Sequence, residues 1–160
     1  MITAERLREL LDYNPDTGAF TWRIAPSFRV KVGGMAGVLR PDNRMEIKAD
    51  KRHYYAHRLA WFYMFGEWPK HEIDHIDGNP SNNQIVNLRD VPMIVNRQNK
   101  RQAHRNNKVG MLGVKKHGER FSATIKVNGQ ATHIGYFSTP ELAHAAYVNA
   151  KRVRHEGCTI

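Results

Sequence analysis

The stretch "EIDHIDGNPSNNQIVNLR", from Glu72 to Arg89, places an acid beside an imidazole and follows them with a loop rich in amides. The acid is Asp74 and the imidazole is His75. The Gly, Pro and Asn residues of "DGNPSNN" are typical of turns, so the residues before them are expected to be a strand. Each of the asparagines in the stretch must be solvated or hydrogen-bonded. They are Asn79, Asn82, Asn83 and Asn87.

Neighbouring residues of a strand point to opposite faces of a sheet. Asp74 and His75 therefore cannot both line one site in a regular strand. The strand is expected to end or bend there, and the turn from Asp77 to Asn79 supplies the break.

A helix is predicted after this stretch. Asp90 is expected to cap it, with Pro92 in the first turn, where a missing N–H costs little. Asn96 then lies about two turns into the helix and can face the loop. Apolar contacts are expected from Val91, Ile94 and Val95.

Upstream, the sequence predicts a short helix, short strands and a buried helix. Thr3 can cap the first helix, which the "NPDTG" of Asn14 to Gly18 then breaks. Strands are expected around "FTWR", "AGVLR" and "RMEIKA". The nearly apolar "HRLAWFYMF", from His57 to Phe65, predicts a helix packed on those strands and ended by Gly66.

Downstream, the chain has no acid between Asp90 and Glu119. Such a block is expected to be a solvated, flexible connector unless a polyanion orders it. Its cations are Arg97, Lys100, Arg101, Arg105, Lys108, Lys115 and Lys116.

Asn128 and Gly129 separate "RFSATIKV" from "ATHIGYF", which is a strong signal for a β-hairpin. Alternation puts one set of side chains on the face that packs on a helix: Phe121, Ala123, Ile125 and Val127. The opposite face carries Arg120, Ser122, Thr124 and Lys126. The helix follows, capped by Ser138 or Thr139 with Pro140 in its first turn. Its small-residue face is expected to comprise Leu142, Ala143, Ala146, Val148, Ala150 and Val153.

The charge favours nucleic acid as a partner, because 25 Lys and Arg against 15 Asp and Glu give a net charge of +10. A single cysteine, Cys158, excludes an internal disulfide and a thiolate zinc cluster. No apolar run approaches a membrane span, and the charged start "MITAERLREL" is unlike a signal peptide. A cytosolic protein without a membrane partner is expected.

Four residues together resemble the motif of the HNH endonuclease family, in the branch where asparagine replaces the final histidine: Asp74, His75, Asn87 and Asn96. The segments "HRLAW", "IDHIDGN", "NNQIVNLR" and "VNRQN" are similar to those of phage and intron-encoded homing-type members. The resemblance covers about Asn14 to Asn99 and implies a ββα-metal fold. It also implies that His75 is the general base, that Asp74 and Asn96 bind the metal, and that Asn87 pins the loop.

The residue types are compatible with those roles. Phosphodiester hydrolysis needs an activated water and neutralisation of charge on the phosphate and the departing oxygen. Histidine suits the first task, and a hard cation with oxygen ligands suits the second. Two protein ligands leave positions for phosphate and water, so Mg²⁺ or Mn²⁺ is expected and should bind weakly without DNA. Arg89 and Arg97 are candidates to clamp the scissile phosphate, although no motif position fixes them.

From Gly113 to Gly157 the chain resembles the AP2/ERF DNA-binding domain, through "GV", "RFSATIKV", "IGYFSTPELAHAAYVNAK" and "HEG". The resemblance implies that the open face of the sheet enters the major groove. The positions that match DNA contacts are Lys115, His117, Thr124, Lys126 and His133. Arg120 and the connector residues Lys100, Arg101, Arg105 and Lys108 are further DNA-binding candidates. The plant members use arginine and tryptophan at several of these places, so affinity with moderate specificity is expected here.

Some patterns keep a second interpretation. His53 and His57 are four residues apart and allow a metal pair, but a strand end and a helix start also explain them. Five aromatic residues are interpreted as core rather than as a base-stacking platform, which weakens an RNA-binding hypothesis. They are Tyr54, Tyr55, Trp61, Phe62 and Phe65. A non-catalytic DNA-binding or regulatory protein on the same scaffold is the alternative to a nuclease.

The sequence therefore predicts an α+β protein with three parts. Residues 1–100 form a ββα-metal HNH region with its core at about 66–100, residues 101–112 a basic linker, and residues 113–160 an AP2-like antiparallel sheet with one helix. The expected activity is homing-like, metal-dependent nicking or double-strand cleavage of double-stranded DNA, in the bacterial host cytoplasm if the protein is phage-encoded. The sequence is compatible with either a monomer or a dimer.

Overall fold

The computed structural model describes residues 1–160, which form four α-helices and ten strands in small antiparallel sheets. The chain divides into two compact units, Met1–Met93 and Ile94–Ile160. The mixed α and β composition with antiparallel pairing agrees with the predicted class at that level. None of the helices has the length and apolar character that a membrane crossing needs.

The first unit begins with helix α1 (Ala4–Leu10) and a hairpin of β1 (Leu11–Asn14) and β2 (Ala19–Trp22). Thr3 caps α1 as predicted, because its hydroxyl accepts the N–H of Arg6 at 3.2 Å. The predicted turn joins β1 to β2, and the Asn14 side chain accepts the N–H groups of the two residues that follow Pro15.

A three-stranded sheet and a buried helix follow. The strands are β3 (Val38–Leu39), β4 (Met45–Ala49) and β5 (Arg52–Tyr55), in that order across the sheet. Helix α2 (Ala56–Phe65) ends at Gly66, which adopts φ 75° as a left-handed cap. The predicted buried helix is therefore confirmed.

The aromatic residues of this unit mostly belong to its core. The Trp68 ring stacks on Phe62 at 4.3 Å and on Tyr54 at 5.7 Å between centroids. Trp61 packs against the same core, whereas Phe65 is 54 % exposed at the helix end. The core interpretation holds for this group except at Phe65 and at Tyr55, whose half-buried ring stacks on His57 instead of joining the core.

The stretch that begins at Glu72 forms a second hairpin, which consists of β6 (Glu72–His75) and β7 (Leu88–Val91). A short 3-10 turn, Ile85–Asn87, precedes β7. Helix α3 (Met93–Gln98) comes next and belongs to the second unit from Ile94 onward.

The predicted cap of α3 is wrong. Asp90 lies inside β7, opposite Ile73, and its carboxylate accepts the N–H groups of Lys70 and His71 at 2.8 Å each. Strand pairing thus continues past the residue that was expected to start the helix. Because α3 has only six residues, Asn96 lies about one turn into it instead of two.

The second unit is a three-stranded sheet covered by one helix. Its strands are β8 (Val114–His117), β9 (Arg120–Val127) and β10 (Gln130–Phe137), in the order β10-β9-β8. The predicted hairpin is confirmed, with positive φ at Asn128 and Gly129 as a type I′ turn requires. Helix α4 (Pro140–Arg154) is capped by the Thr139 hydroxyl. The core consists of Val114, Ala123, Ile125, Ala143 and Tyr147.

The predicted apolar face of α4 is only partly right. Leu142 is 53 % exposed and Val153 is 85 % exposed. The buried stripe instead runs through Ala143, Tyr147 and Lys151, which are four residues apart and so share one side of a helix.

The acid-free connector has contacts of its own. The Asn107 amide donates to the carbonyl groups of Met111 and Val114, at 2.8 and 3.2 Å. Val109 and Met111 pack against the core of the second unit. Residues 101–112 therefore lie within this unit, in contrast to the solvated connector expected from the charge pattern.

Candidate active site

Strand β6 ends directly after the Asp74–His75 pair. The N–H of Ile76 still donates to the Asn87 carbonyl at 2.9 Å, and the N–H of Gly78 then turns back to the His75 carbonyl at 2.8 Å. Gly78 adopts φ 73°, which a turn at this point requires. The strand end expected from side-chain alternation is present.

His75 is buried, with 8 % of its surface exposed, and its Nε2 lies 3.2 Å from Oδ1 of Asn83. Since an amide oxygen only accepts hydrogen bonds, Nε2 is the nitrogen that carries the proton in the neutral ring. The amide of Asn83 donates in turn to the Ser81 carbonyl at 3.4 Å, which fixes its orientation. Nδ1 is therefore the basic nitrogen of His75.

Burial lowers the pKa of His75 below its ordinary value. The hydrogen bond to Asn83 and the carboxylates of Asp77 and Asp74 oppose this shift without cancelling it. The ring is consequently neutral at neutral pH, which is the state that a general base requires.

The first hairpin holds Asn83 in place. The Tyr13 hydroxyl donates to the Asn83 carbonyl at 2.7 Å in a buried position, and the N–H of Ile85 donates to the Pro15 carbonyl at 3.1 Å. Gly18, at φ 72°, lies so close to the Asn83 backbone that a Cβ atom there would overlap it. The loop with Asn83 thus rests on the turn between β1 and β2.

Asn87 closes the loop that follows His75. Its Oδ1 accepts the N–H of Asp77 at 2.9 Å, and its Nδ2 donates to Asp77 Oδ1 at 3.0 Å and to the Asn82 carbonyl at 2.8 Å. Asn87 ties the two sides of the loop together, while Asn83 is the asparagine that contacts the imidazole. The sequence signal for Asn83 was only its place in the run of amides.

Asp74 forms an ion pair across the hairpin. Its Oδ2 accepts from Nε and Nη2 of Arg89 at 2.9 and 2.7 Å, and the two residues face each other in the strand register. The Asp74 side chain is 7 % exposed and that of Arg89 is 26 % exposed. Arg89, which was predicted to clamp a phosphate, here neutralises the Asp74 carboxylate.

Oxygen donors at the site are of the type that a hard cation prefers. No group of three or more His, Cys, Asp and Glu residues in the structure could hold a metal ion. Mg²⁺, however, is commonly held by one or two carboxylates together with phosphate and water. In the first unit, Asp74 at the end of β6 has a carboxylate of this kind. A closed structural zinc site lacks the ligands it would need.

His57 is a further residue at this site that the sequence did not assign to it. Its ring is buried, lies edge-on to His75 at 5.2 Å between centroids, and stacks on Tyr55 at 5.5 Å. Its Nδ1 is buried without a hydrogen-bond partner. Burial, with a contribution from His75, lowers the pKa of His57 to about 3. A strand end and a helix start hold His53 and His57, as expected.

The predicted DNA-binding residues of the second unit are mostly exposed. Tyr136, which was not predicted, lies between His133 and His117, at 4.6 and 5.2 Å between ring centroids. Arg101 is bonded to Thr159, with Nη2 2.7 Å from its hydroxyl. Thr124 is half-buried; the exposed candidates are Arg97, Lys100, Arg101, Arg105, Lys108, Lys115, His117, Arg120, Lys126 and His133.

Comparison with known proteins identifies one segment. The family model described as HNH endonuclease matches residues 54–99, so the chain carries an HNH endonuclease domain in that range. This range contains β6, β7 and the loop with Asn83 and Asn87. No curated protein and no solved structure matches the chain.

Proposed function

We propose that this protein is a metal-dependent DNA endonuclease of the HNH type, with a homing-like mode of action. The observation that carries the proposal is the buried His75, whose Nε2 contacts Asn83 within the segment that matches the HNH family. In this proposal His75 is the general base, and Asn83 and Asn87 position it.

The reaction is the hydrolysis of a phosphodiester. His75 accepts a proton from water at Nδ1 while its Nε2–H donates to Asn83, so the ring keeps one orientation through the step. The water oxygen forms a bond to phosphorus, the bond from phosphorus to the leaving oxygen breaks, and the leaving oxygen takes up a proton from solvent. Two neighbours support the role of His75 as the base. Asn83 fixes which nitrogen of His75 is basic, and His57 places an uncharged ring beside it.

The metal ligands of the proposal are Asp74 and Asn96, as the family resemblance implies. A bound Mg²⁺ or Mn²⁺ would neutralise charge on the phosphate and on the leaving oxygen. Asp74 contributes a buried carboxylate whose position Arg89 already fixes. Arg97 remains the candidate for a scissile-phosphate contact.

The second unit is proposed to bind double-stranded DNA in the manner of an AP2-like domain. Its support is the sheet face with Arg120 and Lys126 and the acid-free run of the unit before Glu119. The whole chain also has 25 Lys and Arg against 15 Asp and Glu. Phosphate contacts by these residues would supply affinity that falls as salt rises.

A non-catalytic DNA-binding protein is the second candidate. The ion pair of Arg89 with Asp74 favours it, since a guanidinium on the carboxylate competes with a cation for the same oxygen. A nuclease needs His75 to cleave DNA, whereas a non-catalytic protein binds DNA without cleaving it.

A supercoiled-plasmid assay tests the proposal. Plasmids of diverse sequence are incubated with Mg²⁺, with Mn²⁺ or with EDTA, and the native protein is compared with His75→Ala. Conversion to open-circular or linear DNA that needs both metal and His75 is expected, with DNA affinity nearly unchanged in the variant.

The matched control is His53→Ala, which removes an exposed imidazole from the same unit and should leave cleavage intact. Metal-dependent cleavage that persists in His75→Ala would contradict the role of His75. Absence of any conversion, with salt-sensitive binding retained, would favour the non-catalytic function.

A further inference from the structure

Helix α4 buries a lysine without an acidic partner. Lys151 is 1 % exposed and is the last member of the buried stripe on α4. Its ammonium donates to the Lys100 carbonyl at 2.6 Å and forms no ion pair with any carboxylate of the chain. Burial accordingly lowers the pKa of Lys151.

A buried ammonium is costly unless an opposite charge and hydrogen bonds compensate it. An ammonium has three N–H donors, and the Lys100 carbonyl accepts from one of them. A lysine at this position is therefore poorly explained by stability alone, because an apolar side chain would fill the same space on a helix that packs on a sheet.

Lys151 lines an open cavity of about 440 Å³ that lies within the second unit. No Asp or Glu lines this cavity, although α4 carries Glu141 in its first turn. We call it the Lys151 groove. Its polar lining residues include Arg97, Lys100, Thr124, Lys126, Lys151 and His155.

His155 adds a polar atom that lacks a hydrogen-bond partner. Its Nε2 lies 2.9 Å from the Lys126 carbonyl, whereas its Nδ1 is buried without a hydrogen-bond partner. The groove thus combines four Lys and Arg residues, a threonine hydroxyl and an imidazole around one volume. Several cations converging on one space match the charge of a phosphate group better than that of a single carboxylate.

We propose that the Lys151 groove binds a phosphate group of the DNA backbone. This deepens the DNA binding in the proposed function and rests on it. The groove shares Arg97 with the proposed scissile-phosphate contact and shares Thr124 and Lys126 with the predicted contacts of the sheet. Its central residue, Lys151, is buried, unlike those predicted contacts. Its role is to fix the position of the second unit along the duplex.

The test compares Lys151→Met, which keeps the length and removes the charge, with Lys151→Arg, which keeps the charge. Both are made in full-length protein carrying His75→Ala, so that binding is measured without cleavage. The probes are a duplex DNA of mixed sequence and inorganic phosphate. Lys48→Met, which removes an exposed lysine from β4, is the matched control.

Without anion, Lys151→Met is expected to unfold at the same temperature as the parent or a higher one, because a buried charge is removed. With DNA, its affinity should fall about tenfold, and the slope of log K against log salt should shrink by about one phosphate contact. Lys151→Arg should retain the affinity and slope of the parent. These opposite effects on stability and on binding are not expected of a merely structural lysine.

Inorganic phosphate distinguishes the two sources of the ligand. If Lys151→Met removes stabilisation by free phosphate but leaves DNA affinity and salt slope unchanged, the backbone assignment is overturned. A variant that only loses stability, with normal DNA binding, overturns it as well. If the native protein cleaves plasmid and the Lys151→Met variant binds DNA normally, phosphate binding by the groove is overturned and the proposed nuclease activity stands. If the Lys151→Met variant binds DNA more weakly and the native protein does not cleave plasmid, phosphate binding by the groove stands and the proposed nuclease activity is overturned.

Discussion

The Nε2 atom of His75 lies 3.2 Å from Oδ1 of Asn83, and both side chains are buried. This contact selects the tautomer of His75 in which Nε2 carries the proton and Nδ1 does not. Asn83 is itself held by the hydroxyl of Tyr13, on a strand outside the segment that matches the HNH family. The first hairpin of the chain therefore contributes to the geometry of the proposed catalytic residue.

Asn83→Ala should slow cleavage by about 10²-fold, since the general base loses its fixed tautomer and orientation. DNA affinity should change little, because one buried amide contributes few contacts to DNA. Single-turnover cleavage and fluorescence anisotropy measure the two quantities. Asn79→Ala, which alters an exposed asparagine of the same loop, is the control. An unchanged cleavage rate in Asn83→Ala would refute the positioning role.

Tyr13→Phe should lower the free energy of unfolding by about 1 kcal/mol, because the Asn83 carbonyl loses a buried hydrogen bond. Urea unfolding measures this change. Cleavage should also slow, through the displaced Asn83. Tyr63→Phe is the control, since its hydroxyl bonds to Asp12 at 3.3 Å in an exposed position. If the two substitutions lower the free energy of unfolding equally, the buried Tyr13 hydrogen bond stabilises the protein no more than the exposed Tyr63 hydrogen bond does.

Arg89→Met should destabilise the protein by about 2–4 kcal/mol, because the buried Asp74 carboxylate loses its charged partner. Adding Asp74→Leu should recover most of this loss, since no unpaired charge then remains in the hairpin. Urea unfolding of both single variants and the double variant gives the coupling free energy. A coupling near zero would mean that the ion pair does not stabilise the hairpin.

Stability should fall as the pH drops below about 6.5, because burial lowers the pKa of His57 from 6.5 to about 3. Between these values the unfolded chain binds a proton that the folded chain excludes, so folding weakens by about 1.4 kcal/mol per pH unit. Urea unfolding from pH 5 to 7 measures the slope, to which His75 also contributes.

His57→Phe should reduce that slope by about one proton. Tyr55→Phe is the matched control, because it keeps the ring that stacks on His57 and removes no imidazole. A slope that is identical in His57→Phe and in the parent would exclude His57 as the group responsible.

Local signals predicted most of the elements correctly. Thr3, Gly66, Thr139 and the Asn128–Gly129 turn act through their own backbone or nearest neighbours, so their effects can be read without the rest of the fold. The errors came where a partner distant in sequence decided the outcome. Asp90 bonds to Lys70 and His71 rather than to α3, and the buried face of α4 follows its packing on the sheet.

The strand end at His75 and the basic charge that favours DNA follow from the sequence alone. These depend on residue type and short-range spacing, which alternation and turn chemistry govern. Packing between distant segments sets which asparagine contacts the imidazole, pairs Arg89 with Asp74 and buries a lysine on α4. Each of these is a contact between segments whose approach depends on packing of the whole unit, and no local pattern encodes it.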